Sequence, residues 1–358
     1  ATGFKPEDIY LGNLAGALTH INGGITSFLD WSHNNPTPDH TDAAIDGLEE
    51  SGVRAIFGHG SPKPDPKEGQ KHFSEVPHPE HEIKRLRNDR LSSDDALITL
   101  GMCILGPHYS TYDVTHHDIL LARKYGLLAS MHMSGGFNRL VPDGVYKMRD
   151  DKLLNSKLNI VHGNDLSDEE LAILIDHGVK MTTTPEVEIQ MGFGDPITGR
   201  VMALGGRPSI GVDVESNISG DMFNVIRMAL QIQRMIDNKP FADEHKPIEN
   251  LSISPIQALE WATINGAHMM AMEHKIGSLS IGKQADIILI RTNDLNIRPV
   301  NDPINALVFY ANASNVDTVY IAGKTVKKKG KLAYKGLPNV MKKLEESRQR
   351  ILANAHAA

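Results

Sequence analysis

Residue types that bind metals or move protons recur along the chain, each one just after a short apolar or β-branched run. In order they are Asp30 with His33, His59, His108, His132, His162, Glu186 with Glu188, and Asp213. Neutral imidazoles and one carboxylate bind zinc or ferrous iron and leave a position open for water. The metal lowers the pKa of that water to about 7, and a nearby carboxylate then serves as base and acid. The pattern predicts a hydrolytic site.

The runs that precede these residues alternate with helical stretches, which is typical of parallel β/α units. In β/α barrels the active site is built at the C-terminal ends of the strands, so the polar residues are expected to meet there. We count seven units, one short of a closed eight-fold barrel. The predicted strands are 24–30, 53–57, 96–105 (where a helix also fits the pattern), 127–133, 158–161, 179–184 and 208–213.

The pattern changes after residue 275, which predicts three parts of the chain. They are a barrel at 1–275, part of a small β-sandwich at 276–334 and a C-terminal helix at 335–358. Ser167 and Glu170 form a capping box for a helix that ends at His177. The other predicted helices are 38–51, 113–125 capped by Asp113, 221–236, 254–272 and 338–355, and the late strands are 285–290, 306–310 and 316–321.

Composition argues against several classes of protein. The net charge is −7 and aromatic residues make up 5% of the 358 residues, so neither nucleic acid nor an anionic membrane is an expected partner. The short run Lys327 to Lys329 is better explained as a solvated turn.

Cys103 is the single cysteine, which excludes an internal disulfide, and it is expected to be a buried, inert thiol. No run of about 18 apolar residues is present and no signal peptide is visible, so a cytoplasmic location is the default.

Several segments together resemble the amidohydrolase superfamily, and most closely its branch with atrazine chlorohydrolase, guanine deaminase and S-adenosylhomocysteine deaminase. The resemblance covers nearly the whole chain, and only the combination of segments is specific. The segments are Val161 to Leu171, Thr184-Pro185, Gly211 to Asp213, Gly220 to Phe223, Ser254 to Ala267, Ile276 to Asp286, Val316 to Val319 and Ile321 to Lys324.

The resemblance implies a TIM-like barrel and a metal-dependent enzyme that hydrolyses or deaminates a carbon–nitrogen bond of a small cyclic or heteroaromatic substrate. It implies that His132 and His162 are metal-binding histidines and that Asp213 touches the metal and shares the proton of the attacking water. His162 and Asp213 are thereby also catalytic candidates. The cofactor of the intact pattern is zinc or ferrous iron.

The chain departs from the family pattern at two places. The family's H-x-H pair belongs to the first barrel strand, which is expected upstream of Pro6 and is not found in this sequence; the chain also does not begin with methionine. Relatives often carry a glutamate three residues after the strand-five histidine, where this chain has Gly135. Glu186 or Glu188 could supply that carboxylate, although a solvated loop position explains either residue equally well.

Two functions remain open from the sequence alone. The first is the metal hydrolase or deaminase described above. The second is a natural short form without the usual metal centre, which would be a metal-free lyase or cyclase or a non-catalytic subunit, and which would bind no metal. A small-molecule substrate is the expected partner, and a homodimer or larger homo-oligomer is an open alternative. The candidate substrate-binding residues are Trp31, His33, His59, His108, Tyr109 and Phe193.

Overall fold

The computed structural model describes residues 3–60, 62–133 and 139–357. In that part of the chain, seven parallel strands pair in sequence order, from β1 to β7. The sheet is curled, since the ring of Trp31 on β1 lies 4.0 Å from the ring of His132 on β4. The strands are β1 (Ser27–Ser32), β2 (Arg54–Gly60), β3 (Ile98–Ile104), β4 (Ala129–Met133), β5 (Leu158–His162), β6 (Lys180–Thr183) and β7 (Ser209–Ile210).

Helices lie between the strands and follow them. They are α1 (Pro6–Gly23), α2 (Pro38–Ser51), α3 (Glu80–Asn88), α4 (Gly106–Tyr109), α5 (Tyr112–Lys124), α6 (Gly144–Asp150), α7 (Asp168–Asp176), α8 (Pro185–Gln190), α9 (Thr198–Ala203), α10 (Met222–Asp243), α11 (Pro255–Ala262), α12 (Ile264–Met269), α13 (Pro303–Asn305) and α14 (Leu337–Ala357). Among the residues described, no helix is long and apolar enough to cross a membrane.

The central strands are covered on both faces. Every residue of β2 and β3 is buried, which is the usual condition of parallel strands with helices outside and a packed interior. Phe57 of β2 packs with outer-helix residues such as Leu48 and Ile83. Its neighbour Ile56 points the other way and packs with Met272. Side chains at odd positions of β2 therefore face the helices, and those at even positions face the barrel interior.

The predicted order of strands is confirmed, including the parallel pair formed by β4 and β5, in which His132 is opposite Val161. The capping box is also confirmed, because Ser167 accepts a hydrogen bond from Glu170 N–H and the Glu170 carboxylate accepts one from Ser167 N–H. The predicted cap Asp113 is wrong: it lies inside the first turn of α5, and Thr111 is the N-cap residue. The predicted helix 254–272 is interrupted at Thr263, so that α11 and α12 are separate.

A four-stranded antiparallel sheet of order β11-β10-β9-β8 forms the small unit. The strand predicted at 306–310 is wrong, because Ala306–Tyr310 is a π-helical segment that continues α13. The lysine run lies mostly in strand β10 and not in a turn, and Lys327 in it is only 2% exposed. The strands are β8 (Ile287–Ile290), β9 (Val316–Ile321), β10 (Lys324–Lys328) and β11 (Lys331–Leu332).

The two outer strands of the large sheet are β1 and β7. Helix α1 comes before β1, and His20 near its end lies 3.1 Å from Glu215, which is on the loop after β7. The predicted absence of a preceding barrel strand is not tested by this arrangement and stays a prediction, as do the boundaries 1–275, 276–334 and 335–358.

Candidate active site

His162 is held at the C-terminal end of β5 by a carboxylate. Its φ is 73° and that of the following Gly163 is 82°, so the chain turns sharply after the strand. His162 is buried, with 4% of the residue exposed. His162 Nδ1 lies 3.1 Å from Glu188 Oε1 and 3.1 Å from Thr184 Oγ1. Thr184 N–H donates to the same Oε1 at 2.7 Å. Because a carboxylate accepts at Nδ1, that nitrogen carries the proton and Nε2 is left as an acceptor.

Asp213 follows β7 and approaches the other nitrogen of this ring. Its Oδ2 lies 3.7 Å from His162 Nε2 and accepts a hydrogen bond of 3.5 Å from Thr184 Oγ1. The side chain is 18% exposed. Burial raises the pKa of the Asp213 carboxyl, His162 opposes the rise and the Glu188 carboxylate adds to it. Asp213 therefore holds a proton more readily than an ordinary aspartate, and it lies beside the one ring nitrogen that remains open.

Four rings form a row across the barrel mouth. The Trp31 ring lies 4.0 Å from that of His132, which stacks at 5.2 Å and 21° on the ring of His162. Phe193 meets His162 edge to face at 5.2 Å. Burial lowers the pKa of His132 well below its usual value, and His162 and Lys63 lower it further. Burial therefore favours the neutral form of His132, and the row presents mostly ring surface, which suits a flat aromatic molecule.

A metal ion would need three or more ligand atoms directed at one point. The ring of His132 is stacked on that of His162, and Asp213 Oδ2 lies 3.7 Å from His162 Nε2. The contact of His162 Nδ1 with Glu188 leaves Nε2 open, which is the usual arrangement of a histidine that binds a metal. In the part of the chain that the structure describes, no group of three or more histidine, cysteine, aspartate or glutamate residues is arranged to hold a metal.

His59 does not join this row. It follows Phe57 by two positions on β2, so it lies on the face that packs against the helices. His59 Nδ1 contacts His78 Nε2 at 2.9 Å, and both rings are buried. Burial lowers the pKa of His59 to about 4.

Cys103 is buried as predicted, and burial raises the pKa of its thiol well above the usual value.

The other residues predicted from the sequence lie beside the ring row or farther from it. His33 lies 5.9 Å from Trp31, edge to face, and Tyr109 lies in α4 with the Lys63 ammonium 5.4 Å from its ring centre. His108 is buried beside Tyr109. Glu186 lies in α8, and in the described residues its buried Oε2 has no hydrogen-bond partner. Of the two glutamates, Glu188 is the one that contacts His162.

Three residues of the site were not singled out from the sequence for a role. Thr184 connects the Glu188 and Asp213 carboxylates, and Asn164 donates to Glu188 Oε2 at 3.3 Å. Thr184 directly follows β6 and Asn164 lies two residues after the end of β5, and these positions are the signal that could have identified them. Lys63 gives no such signal, because it lies in a proline-rich loop. The prediction concerning Gly135 lies outside the described residues.

The model of the Amidohydrolase family matches residues 3–326 of the chain. The chain belongs to the amidohydrolase family. The predicted resemblance is thereby confirmed, and with it the enzyme class, a hydrolase of the amidohydrolase type. Residues 3–326 of this amidohydrolase include all of the site residues described above.

Curated relatives match along almost the whole amidohydrolase chain. It is 24% identical to a 5-methylthioadenosine/S-adenosylhomocysteine deaminase of Caldanaerobacter subterraneus, over 97% of this chain and 77% of the relative. It is 26% identical to a 5'-deoxyadenosine deaminase of Methanobrevibacter smithii, over 95% of this chain and 75% of the relative.

Solved structures share the fold. An adenosine deaminase from Xanthomonas campestris with bound zinc superposes with a TM-score of 0.78 and 20% identity, over 99% of this chain and 77% of the other. A variant of atrazine chlorohydrolase from Arthrobacter aurescens, complexed with zinc and atraton, gives a TM-score of 0.81 and 18% identity, over 98% and 78%. At these identities the structures establish the fold, and the zinc is a property of those proteins.

Proposed function

We propose that this amidohydrolase hydrolyses a carbon–nitrogen bond of a nitrogen-containing heteroaromatic small molecule, and that the reaction is the deamination of an adenosine-like ring. The names of the curated relatives support the substrate class. The observation that carries the proposal is the contact of Asp213 and Glu188 with opposite sides of His162, beside a row of rings. The alternative of a lyase, a cyclase or a non-catalytic subunit is not favoured by these relatives.

The proton transfers can be assigned to side chains of this chain. Water adds to the ring carbon that bears the amino group, the carbon–nitrogen bond breaks, and ammonia leaves while the ring keeps the oxygen. Asp213 accepts a proton from the water and returns it to the departing nitrogen, which is the task of a general base and acid. His162 presents Nε2 toward the same space, because Glu188 holds the proton at Nδ1. The ring row stacks the flat substrate.

The experiment is an ammonia-release assay on the purified chain. The compounds are adenosine, 5'-deoxyadenosine, 5-methylthioadenosine and S-adenosylhomocysteine. Asp213→Asn keeps the size of the side chain and removes the proton acceptor, so we expect a loss of roughly 10²- to 10⁴-fold in kcat. Asp176→Asn, at an exposed position that ends α7, is the matched control. Ammonia release that is unchanged by Asp213→Asn would refute the assigned role.

A metal requirement is a separate part of the proposal. Because the described residues do not form a three-ligand group, we expect this chain to bind zinc or ferrous iron weakly or not at all, and to turn over slowly. Metal content measured by mass spectrometry checks this directly. Stoichiometric metal that is lost in His132→Ala, but kept in His33→Ala and His59→Ala, would show instead that the residual ligands suffice.

A further inference from the structure

A cationic side chain that takes no part in the proposed proton transfers lies at the mouth of the pocket. Lys63 is on the loop after β2 and is exposed to solvent. Its Nζ lies 5.8 Å from the ring centre of Trp31 and 5.4 Å from that of Tyr109. An ammonium within about 6 Å of a ring centre is attracted to the aromatic face. The two rings therefore hold this cation beside the pocket.

Two hydrogen-bond donors at this place have no acceptor in the described part of the chain. The Lys63 ammonium has contacts to the two rings but no ion pair or hydrogen bond there. The indole N–H of Trp31 is buried and likewise has no partner among these residues. Buried donors are almost always paired in folded proteins. That rule applies to the buried Trp31 N–H and not to the Lys63 ammonium, which is exposed to solvent. An acceptor supplied by a bound molecule would pair the N–H and would meet the ammonium beside the same ring.

The two ends of the ring row differ in charge. The Glu188 and Asp213 carboxylates lie at the His162 end, and Lys63 lies at the Trp31 end, with the stacked ring of His132 between them. The chain as a whole has a net charge of −7, so a cation placed at the mouth is not a consequence of a generally basic surface. A molecule that binds along the row meets anionic groups at one end and a cation at the other.

We propose that Lys63 binds an anionic substituent, so that the substrate is a nitrogen-containing heteroaromatic ring that carries a carboxylate or a phosphate. The ring part rests on the proposed function, whereas the anionic group rests on Lys63 and Trp31. Lys63 is then a specificity-determining residue. The ammonium and the indole N–H donate to the anion, while the ring that loses its amino group lies toward His162 and Asp213.

Binding measured by isothermal titration calorimetry tests the inference without requiring turnover. The probes are adenosine, its 5'-carboxylate and its 5'-monophosphate, which share one ring and differ in charge. We expect the wild type to bind at least one anionic probe about 10-fold or more tightly than adenosine, since hydrogen bonds to charged groups are of this size. The carboxylate and phosphate arms show which anion the site prefers. The preference should decrease with added salt.

Four variants make the test specific. Lys63→Met should abolish the preference for the anion, and Lys63→Arg should keep part of it, because the charge remains. Lys71→Met removes a lysine from an exposed position of the same loop, and it should bind like the wild type. Trp31→Phe keeps a ring and loses the N–H, so the preference should fall by less than in Lys63→Met.

The outcomes separate the two proposals. Equal binding of neutral and anionic probes by the wild type, a preference that survives Lys63→Met, or no binding of any probe would overturn the assignment of Lys63. An anion preference that depends on Lys63, with no ammonia released from any probe, would support the assignment and contradict the deaminase proposal. Thermal melting of each variant confirms that the fold is intact when the affinities are compared.

Discussion

Glu188 is fully buried, with 0% of the residue exposed, and its carboxylate is shared by His162, Thr184 and Asn164. Such a residue acts through the ring that it orients. We expect Glu188→Gln to lower kcat about 10- to 100-fold, as for other partners that fix a functional histidine, with little change in KM. Steady-state kinetics on the deamination substrate provide the measurement.

Glu186→Gln is the matched comparison, because Glu186 is two positions away in the same helix and makes no contact with His162 among the described hydrogen bonds. A smaller effect on kcat is expected from it. A larger loss in Glu186→Gln than in Glu188→Gln would show that the other glutamate supports the chemistry. A rise in KM alone in Glu188→Gln would indicate a role in substrate binding and not in orienting His162.

The buried pair His59 and His78 should make stability depend on pH. Burial lowers the pKa of His59 to about 4 in the folded state, whereas an unfolded histidine has a pKa near 6.5. Above pH 6.5 both states are neutral and nothing is lost. Between about pH 6.5 and 4 the unfolded state binds the proton and the folded state does not, so the free energy of unfolding falls, by on the order of 3 kcal/mol.

Urea unfolding at several pH values between 8 and about 4.5 measures this dependence, and the range covers most of the titration of an unfolded histidine. In His59→Gln the loss on acidification should be smaller than in the wild type. His274→Gln, at an exposed position, should retain the wild-type dependence. Identical pH profiles for His59→Gln and the wild type would show that the buried ring does not resist protonation.

At the level of single residues, the sequence predicted positions better than orientations. His162 and Asp213 were predicted because each directly follows a strand end. His59 also lies at a strand end, but it is at an odd position of β2, so its side chain points toward the helices. A shift of one residue along a strand moves a side chain to the other face of the sheet. Lys63 is on the loop after β2 and Tyr109 is in α4, and no local pattern encodes their contact.

Glycines at interior positions of β2 and β3 allow close packing between neighbouring strands. Gly58 is opposite Trp31 on β1 and Gly101 on β3. A Cβ on Gly58 would lie 2.3 Å from Cys103 Sγ and 2.8 Å from the Asp30 carbonyl oxygen. Overpacking of this kind destabilises a core by roughly 1–3 kcal/mol, so Gly58→Ala should lower the free energy of urea unfolding by that amount.

Gly12→Ala is the control for Gly58→Ala. Gly12 is an exposed position of α1, and a Cβ there would meet nothing within 4 Å. Alanine favours a helix over glycine by roughly 0.5–1 kcal/mol, so this variant should be slightly more stable than the wild type. If Gly58→Ala were as stable as Gly12→Ala, the interior of the barrel would have to be less tightly packed than the distances indicate.

At the scale of elements, the prediction was correct where the hydrophobic pattern covered enough residues to distinguish a strand from a helix. The barrel strands followed from apolar runs separated by helices. Ala306–Tyr310 was predicted as a strand because a five-residue apolar run has no distinguishing period. The deciding signal lay just before it, where Asp302 accepts a hydrogen bond from Asn305 N–H at 2.7 Å and Pro303 occupies the first helical position, an arrangement that starts helices.

On the scale of the whole molecule, seven parallel strands and a separate small sheet were predictable, because each strand is a local pattern. The contact between the two sheets was not. Arg54, at the start of β2, donates from Nε to Asp286 Oδ2 at 2.7 Å and from its Nη2 to Oδ1 at 3.0 Å. The two residues are 232 positions apart, and no sequence pattern pairs residues over such a separation.

This ion pair should make the barrel and the small sheet unfold together. Its side chains are 2% and 3% exposed, and Ala322 N–H adds a hydrogen bond of 2.7 Å to Asp286. Removal of one partner leaves a buried charge without compensation, which costs roughly 3–5 kcal/mol. Arg54→Met should therefore destabilise the chain strongly, and the melting curve should broaden if the small sheet separates first.

A double-mutant cycle distinguishes the loss of the pair from the loss of packing. Asp286→Leu in the Arg54→Met background removes the stranded carboxylate, so the double variant should recover part of the stability, as buried pairs replaced by apolar residues often do. Additive losses in the double variant would contradict the coupling. A single sharp transition in Arg54→Met, at an unchanged midpoint in urea, would show that the two sheets are connected mainly by other contacts, such as those of α1 with β9 and β10.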